Sequence, residues 1–157
     1  MTNANASAAA KALLEEFWDL KLPIDPKFFA EKLGIEIVSA NLGLRSGFLD
    51  ADKKQIHINE IEPIERQRFT IAHELGHFCL GHGSSNRNTA LPGWYGEYDP
   101  VKETQANQFA ADLLMPAIAM KAVIDVRGIR DAVTLRQVFG VSSQAMNVRL
   151  KSLGYIQ

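Results

Sequence analysis

The chain has 157 residues, 46% of them hydrophobic and 22% charged, with a formal net charge of -1 at pH 7; this is the profile of a globular protein with a sizeable core, and it excludes a chain-wide nucleic-acid or membrane-binding charge surface. The single cysteine, Cys79, excludes an internal disulfide framework and fits a reducing compartment. MTNANASAAAK has neither the basic start nor the apolar centre of a signal peptide, and LLMPAIAM is too short to cross a bilayer, so a cytoplasmic protein with no membrane partner is expected.

Residues 1–7 are small and polar and are expected to fray. From Ala8 to Leu20, the residues Leu13, Leu14, Phe17 and Trp18 recur at helical spacing, and Pro23 closes that segment. IDPKFFAEKLG reads as a short helix with Asp25 as N-cap, Pro26 at the first helical position and Gly34 past its end. IEIV is a strand candidate. GFLDADKKQIHIN reads as a hairpin around the charged turn Asp50–Lys54, with His57 a cross-strand partner. A helix is expected from about Pro63 to Leu80, with a stripe of Ile64, Ile71, Leu75 and Phe78 on one side. A Gly-, Ser-, Asn- and Pro-rich loop runs from Gly81 to Pro100. KETQANQFAADLLM resumes as a helix that Pro116 ends. Short helices follow, including TLRQVFG and SSQAMNVRLKSLG, the second capped by Ser142. The fold class is α+β, a small antiparallel sheet and then mostly helices.

HELGH places His73 and His77 four residues apart, about 40° around a helix, so both imidazoles can meet one ion. Glu74 lies about 100° from His73, beside the ion and able to hold a water. This geometry is why HExxH signifies a zinc hydrolase. The two histidines fall opposite the apolar stripe, flanked by Phe69 and Leu80; on a covered face they need partners, which a Zn2+ ion supplies. A continued helix would turn His82 about 180° from His73, so it returns only if the helix breaks at Gly81; a role in supporting a ligand, in contacting substrate or oxyanion, or at the surface is expected of it rather than ligation.

A catalytic zinc site takes three protein ligands and leaves one position open. Glu97 and Asp99 lie in the loop, where fixed geometry is harder to hold. Asp112 is expected on a solvated face with Gln105 and Gln108. Glu103 shares a face with Ala106, Asn107 and Ala110, and those alanines allow close approach to the His73–His77 helix. Glu103 is therefore the expected third ligand, with Asn107 placed to accept a ring N–H from a ligating histidine.

RQRFTIAHELGH, followed further along by ETQANQFAADLLMP, resembles the ImmA/IrrE family of bacterial and phage metallo-endopeptidases. The resemblance covers residues 25–120 well and VFGVSSQAMNVRLKSLGYI more loosely. It implies a gluzincin-like zinc site, with His73, His77 and Glu103 as ligands and Glu74 as base, in a zincin-like domain at 1–126. Residues 127–157 would be a helix-turn-helix-like extension packed on it. Family members typically cleave, or relieve repression by, a helix-turn-helix repressor often encoded nearby, and that is the substrate the resemblance implies. This chain has Gln105 where the family often has a second acidic residue, which removes a rival ligand. It has Gly81 where many relatives have a histidine, with His82 one place on.

The expected reaction is attack of a zinc-activated water on a peptide carbonyl, with Glu74 moving the proton. Tyr95 and Tyr98 are candidate oxyanion donors, and Arg66 could bind a substrate carboxylate or brace the loop. By resemblance to other gluzincins, a strand edge around Phe48 or Ile56–Ile58 would take an extended substrate. Two other readings compete. In one, the C-terminal helices bind DNA and the zinc is structural or a sensor: Arg127, Arg130, Arg136, Arg149 and Lys151 face a single acid, Asp131, and Gln144, Asn147 and Arg149 could read bases. In the other, a zinc hydrolase acts on a small molecule.

Overall fold

The computed structural model describes residues 3–84 and 99–157. Helix α1 (Asn3–Phe17) begins inside the segment expected to fray. Packing explains this: Ala6 and Ala10 are fully buried, and Ser7 Oγ donates to Asp112 at 2.6 Å. In α2 (Pro26–Lys32), Asp25 caps the start by accepting from the Lys27 N–H at 3.0 Å. Gly34 takes φ +73 and turns the chain into β1 (Glu36–Ala40).

β2 (Gly47–Asp50) and β3 (Gln55–Asn59) form the expected hairpin, with Phe48 opposite His57 and Leu49 opposite Ile56. The Phe48 and His57 rings stack at 4.3 Å, the cross-strand role expected of His57. The sheet is mixed rather than wholly antiparallel. Its order is β1-β3-β2, and β1 pairs with β3 in parallel. The connection from β1 therefore crosses the end of β3 to reach the far edge. Asn59, 1% exposed, holds it there: Nδ2 donates to the carbonyls of Gly43 (2.9 Å) and Arg45 (2.7 Å), and Oδ1 accepts from the Leu42 N–H. β3 is paired on both sides, so Ile56–Ile58 offer no edge; β2 lies at one side of the sheet.

Leu49, Ile56 and Ile58 share one apolar cluster with Ile71 and Leu75 of α3 (Ile64–Cys79), which packs against β2 and β3. Ile64 is 58% exposed, so the buried stripe of α3 starts later than its sequence suggests. α4 (Pro100–Leu114), capped by Asp99, packs between α3 and α1. Ala106 and Ala110 are fully buried, as close approach requires. On the facing helix, a Cβ added to Gly76 would lie 3.0 Å from Phe109 Cβ.

α5 (Ala117–Lys121) runs into a π-type turn at Ala122–Val126. α6 (Ala132–Phe139) and α7 (Ser143–Ser152) meet at Gly140, which is left-handed at φ +64, and Ser142 caps α7 by accepting from the Ala145 N–H. Leu135, Phe139, Val141, Met146 and Leu150 join the same apolar cluster as α1 to α4. Arg149 is 4% exposed; it donates from Nε to the Met115 carbonyl and pairs with Asp112, each at 2.9 Å. Arg68 of α3 reaches the carbonyls of Gly140 and Ile24. Among the described residues, no helix is long and apolar enough to cross a membrane.

Candidate metal centre

α3 and α4 each contribute to one cluster. The rings of His73 and His77, one turn apart, stand edge to face at 4.8 Å. Their Nε2 atoms are 3.2 Å from each other, and the same Glu103 oxygen lies 3.0 Å from His73 Nε2 and 2.8 Å from His77 Nε2. The side chains retain only 13% (His73), 5% (His77) and 13% (Glu103) of their exposure.

The outer hydrogen bonds decide what these atoms are. His73 Nδ1 donates to Asn107 Oδ1 at 2.9 Å, so in the neutral ring Nε2 carries a lone pair. The other ring is fixed through a longer chain. His82 donates from Nε2 to Gln105 Oε1 at 2.9 Å and accepts at Nδ1 from His77 Nδ1 at 3.0 Å, again leaving a lone pair on His77 Nε2. Burial lowers the His82 pKa, with His77 and Lys102 adding to the effect, which keeps that ring neutral and able to accept.

Burial pushes the Glu103 carboxyl up, but its contacts with His73 and His77 outweigh this and hold it well below the usual carboxylate range. Glu103 is therefore an anion at neutral pH. Two ring lone pairs and a carboxylate thus converge on one point, an arrangement that calls for a cation. A proton could bridge one pair of these atoms at a time, whereas a divalent metal serves all three. A tetrahedral ion with bonds of about 2.0–2.1 Å separates its ligand atoms by about 3.3 Å. The observed separations need to open by only a few tenths of an ångström, so the residues fit a zinc ion. Among the described residues, His73, His77 and Glu103 form the group that could hold a metal.

Glu74 is 6% exposed and lines the same cleft as His73, Glu103 and Asn107, a space of about 720 Å³. Arg66 lies exposed on its wall two turns from His73. The start of β2 reaches the cleft through Gly47, where an added Cβ would collide with the His57 carbonyl and Thr70. Tyr95 and Tyr98 lie outside the described residues.

His82 returns to the cluster because Gly81, at φ +69, ends α3. The His82 N–H reaches back to the His77 carbonyl at 2.9 Å and the Gly81 N–H to that of Phe78 at 3.2 Å, the paired bonds of a Schellman cap. Sequence reasoning missed Gln105, assigning it to a solvated face; it is 1% exposed. The available signal was the pair itself, a glycine-released histidine and an amide facing it from the next helix.

Comparison with known proteins identifies the family. The profile of the Peptidase_M78 family, described as IrrE N-terminal-like domain, matches residues 30–151. The chain is 34% identical over 122 residues to the radiation response metalloprotease IrrE of Deinococcus radiodurans, covering 74% of this chain and 37% of that protein. With the protein of the same name from Deinococcus deserti it shares 38% identity over 89 residues, covering 54% of this chain and 30% of that one. The chain thus spans about a third of the length of these curated relatives. A solved structure of a Mycobacterium tuberculosis transcriptional regulator has the same fold, with a TM-score of 0.63 at 19% identity over 93% of this chain and 46% of that one.

Proposed function

The chain belongs to the Peptidase_M78 family of IrrE N-terminal-like domains, and on that premise we propose that it is a zinc-dependent endopeptidase that cuts a protein substrate, a helix-turn-helix transcriptional repressor encoded nearby. The observation that carries the reading is the convergence of three electron-rich atoms, from His73, His77 and Glu103, beside a cleft that His73, Glu74 and Glu103 line. The metalloprotease names of the Deinococcus relatives support the chemistry. The family resemblance supports the class of substrate.

His73, His77 and Glu103 would hold the zinc ion, which would supply Lewis acidity to activate a water and polarise the peptide carbonyl. Glu74 takes the proton of the attacking water and returns it to the leaving amine. Asn107 holds the His73 ring; His82, itself held by Gln105, orients His77. Arg66, at the cleft wall, binds a substrate carboxylate or carbonyl. Gly47, at the start of β2, lines the cleft in which an extended substrate would lie.

The test is incubation of the zinc-loaded chain with the repressor encoded beside its gene, with the products read by mass spectrometry. Glu74→Gln keeps its zinc and loses cleavage by roughly 10²–10⁴-fold; retained turnover would remove Glu74 as the base. The DNA-binding reading keeps the α6–Gly140–α7 geometry but loses a base reader, since the Arg149 guanidinium is occupied by Asp112 and the Met115 carbonyl. Duplex binding that weakens steeply with added salt would revive it.

A further inference from the structure

The cleft does not stop at the metal centre. It continues along α4 past Ala111 to Met115 and is closed at that end by α7 and the residue before its cap, through Val141, Ala145 and Val148. These five residues are apolar, and the polar Gln108, Ser142, Gln144, Arg149 and Ser152 line the same end around them, with Ser142, Gln144 and Ser152 exposed. Met115 and Val141 are 1% and 2% exposed and form the floor, whereas Val148 stands 62% exposed at the opening. Arg149, which lines this end of the cleft, has its charge taken up by Asp112. α7 is also held in place, because the Arg149 bonds to Met115 and Asp112 and the Arg68 bond to Gly140 fix both ends of its approach.

Helical rise gives the scale. Ala111 and Met115 lie eight and twelve residues beyond Glu103, or about 12 and 18 Å along α4. An extended chain advances about 3.3 Å per residue, so that stretch corresponds to about four or five residues of substrate. We propose that the Met115–Val141–Val148 end of the cleft is a specificity subsite, in which α7 receives an apolar side chain of the substrate four or five residues from the bond that is cut. This rests on the endopeptidase reading. It explains why a chain with a helix-turn-helix-like end turns one face of its final helix into the cleft. Continuity with the cleft that holds His73, Glu74 and Glu103 makes an extended polypeptide the occupant.

The zinc-loaded chain and its Val148→Asp variant are each incubated with a library of proteome-derived peptides, and the cut sites are read by mass spectrometry. The wild type is expected to enrich Leu, Ile, Val or Met four or five residues from the cut bond, on one side of it. Val148→Asp is expected to lower that enrichment roughly tenfold and to favour Lys or Arg there, with the preference next to the bond unchanged. Val148 is largely exposed, so the variant folds, which circular dichroism verifies. A flat wild-type profile at those positions, or a profile unmoved by Val148→Asp, overturns the subsite and leaves the peptidase standing. If no peptide is cut, the peptidase reading fails, and the subsite is judged by which library peptides the two immobilised, zinc-loaded proteins retain. An exchange of apolar for basic peptides supports it; equal retention, or none, overturns it.

Discussion

His82 touches His77 because a Schellman cap brings its last residue over the third from the end of the helix, a contact usually made by apolar side chains and made here by two imidazoles at 3.0 Å. Gln105 and His82 should therefore govern the metal without ligating it. Gln105→Ala and His82→Ala are each expected to weaken zinc binding about 10–100-fold in chelator competition; wild-type affinity in both would show that this chain does not orient His77. Gly81→Ala meets no atom within 4 Å and acts only through its left-handed backbone. It should cost roughly 1 kcal/mol and weaken zinc binding in the same direction. Burial pushes the Cys79 thiol up to about 11, so iodoacetamide at pH 8 should label it about a hundredfold more slowly in the native protein than after unfolding. Spacing on a single helix was enough to group His73, Glu74 and His77, and the alanine face was enough to single out Glu103 and Asn107. Gln105 was not legible, since its burial depends on where His82 goes after a backbone reversal.

α4 shows why reading one helix face at a time has limits. The wheel placed Gln105, Gln108 and Asp112 on a solvated side, yet α4 is covered by α3 and by α1, and α7 reaches it as well. Asp112 becomes a junction of three helices: it accepts from Ser7 of α1 at 2.6 Å and from Gln108 at 3.0 Å, and it pairs with Arg149 of α7 at 2.9 Å. Asp112→Ala leaves a buried guanidinium without its anion. The expected loss is roughly 2–3 kcal/mol in denaturant unfolding, below that of a fully buried pair because Asp112 is only partly covered. Gly76 carries the opposite constraint, since any side chain there meets Phe109. Gly76→Ala should cost roughly 1–3 kcal/mol and, by pushing α4 away, lower zinc affinity. The mixed sheet escaped sequence reasoning for a related reason. Alternation in QIHIN identifies a strand and its buried face, but the edge that β1 takes depends on the Asn41–Ser46 connection and on Asn59 beneath it.

Across the whole molecule, one apolar cluster runs from Ala6 in α1 to Leu150 in α7. The α+β class and most elements were readable because helix caps and periodicity are local signals: Asp25, Ser142, Gly34 and Gly140 all act where their sequence context places them. The parts that were not readable depend on contacts between distant segments, such as Ser7 with Asp112 or Arg68 with Gly140. We propose that the division at residue 126 separates functions and not folding units, with catalysis before it and substrate reading after it. Thermal unfolding should then be a single transition by both circular dichroism and calorimetry; two transitions would separate the C-terminal helices from the rest. The central claim is tested most directly by anomalous diffraction at the zinc edge from crystals of the zinc-loaded protein. The expected map has one strong peak within bonding distance of His73 Nε2, His77 Nε2 and a Glu103 carboxylate oxygen. A peak that excludes Glu103, or a map with none between α3 and α4, would contradict it.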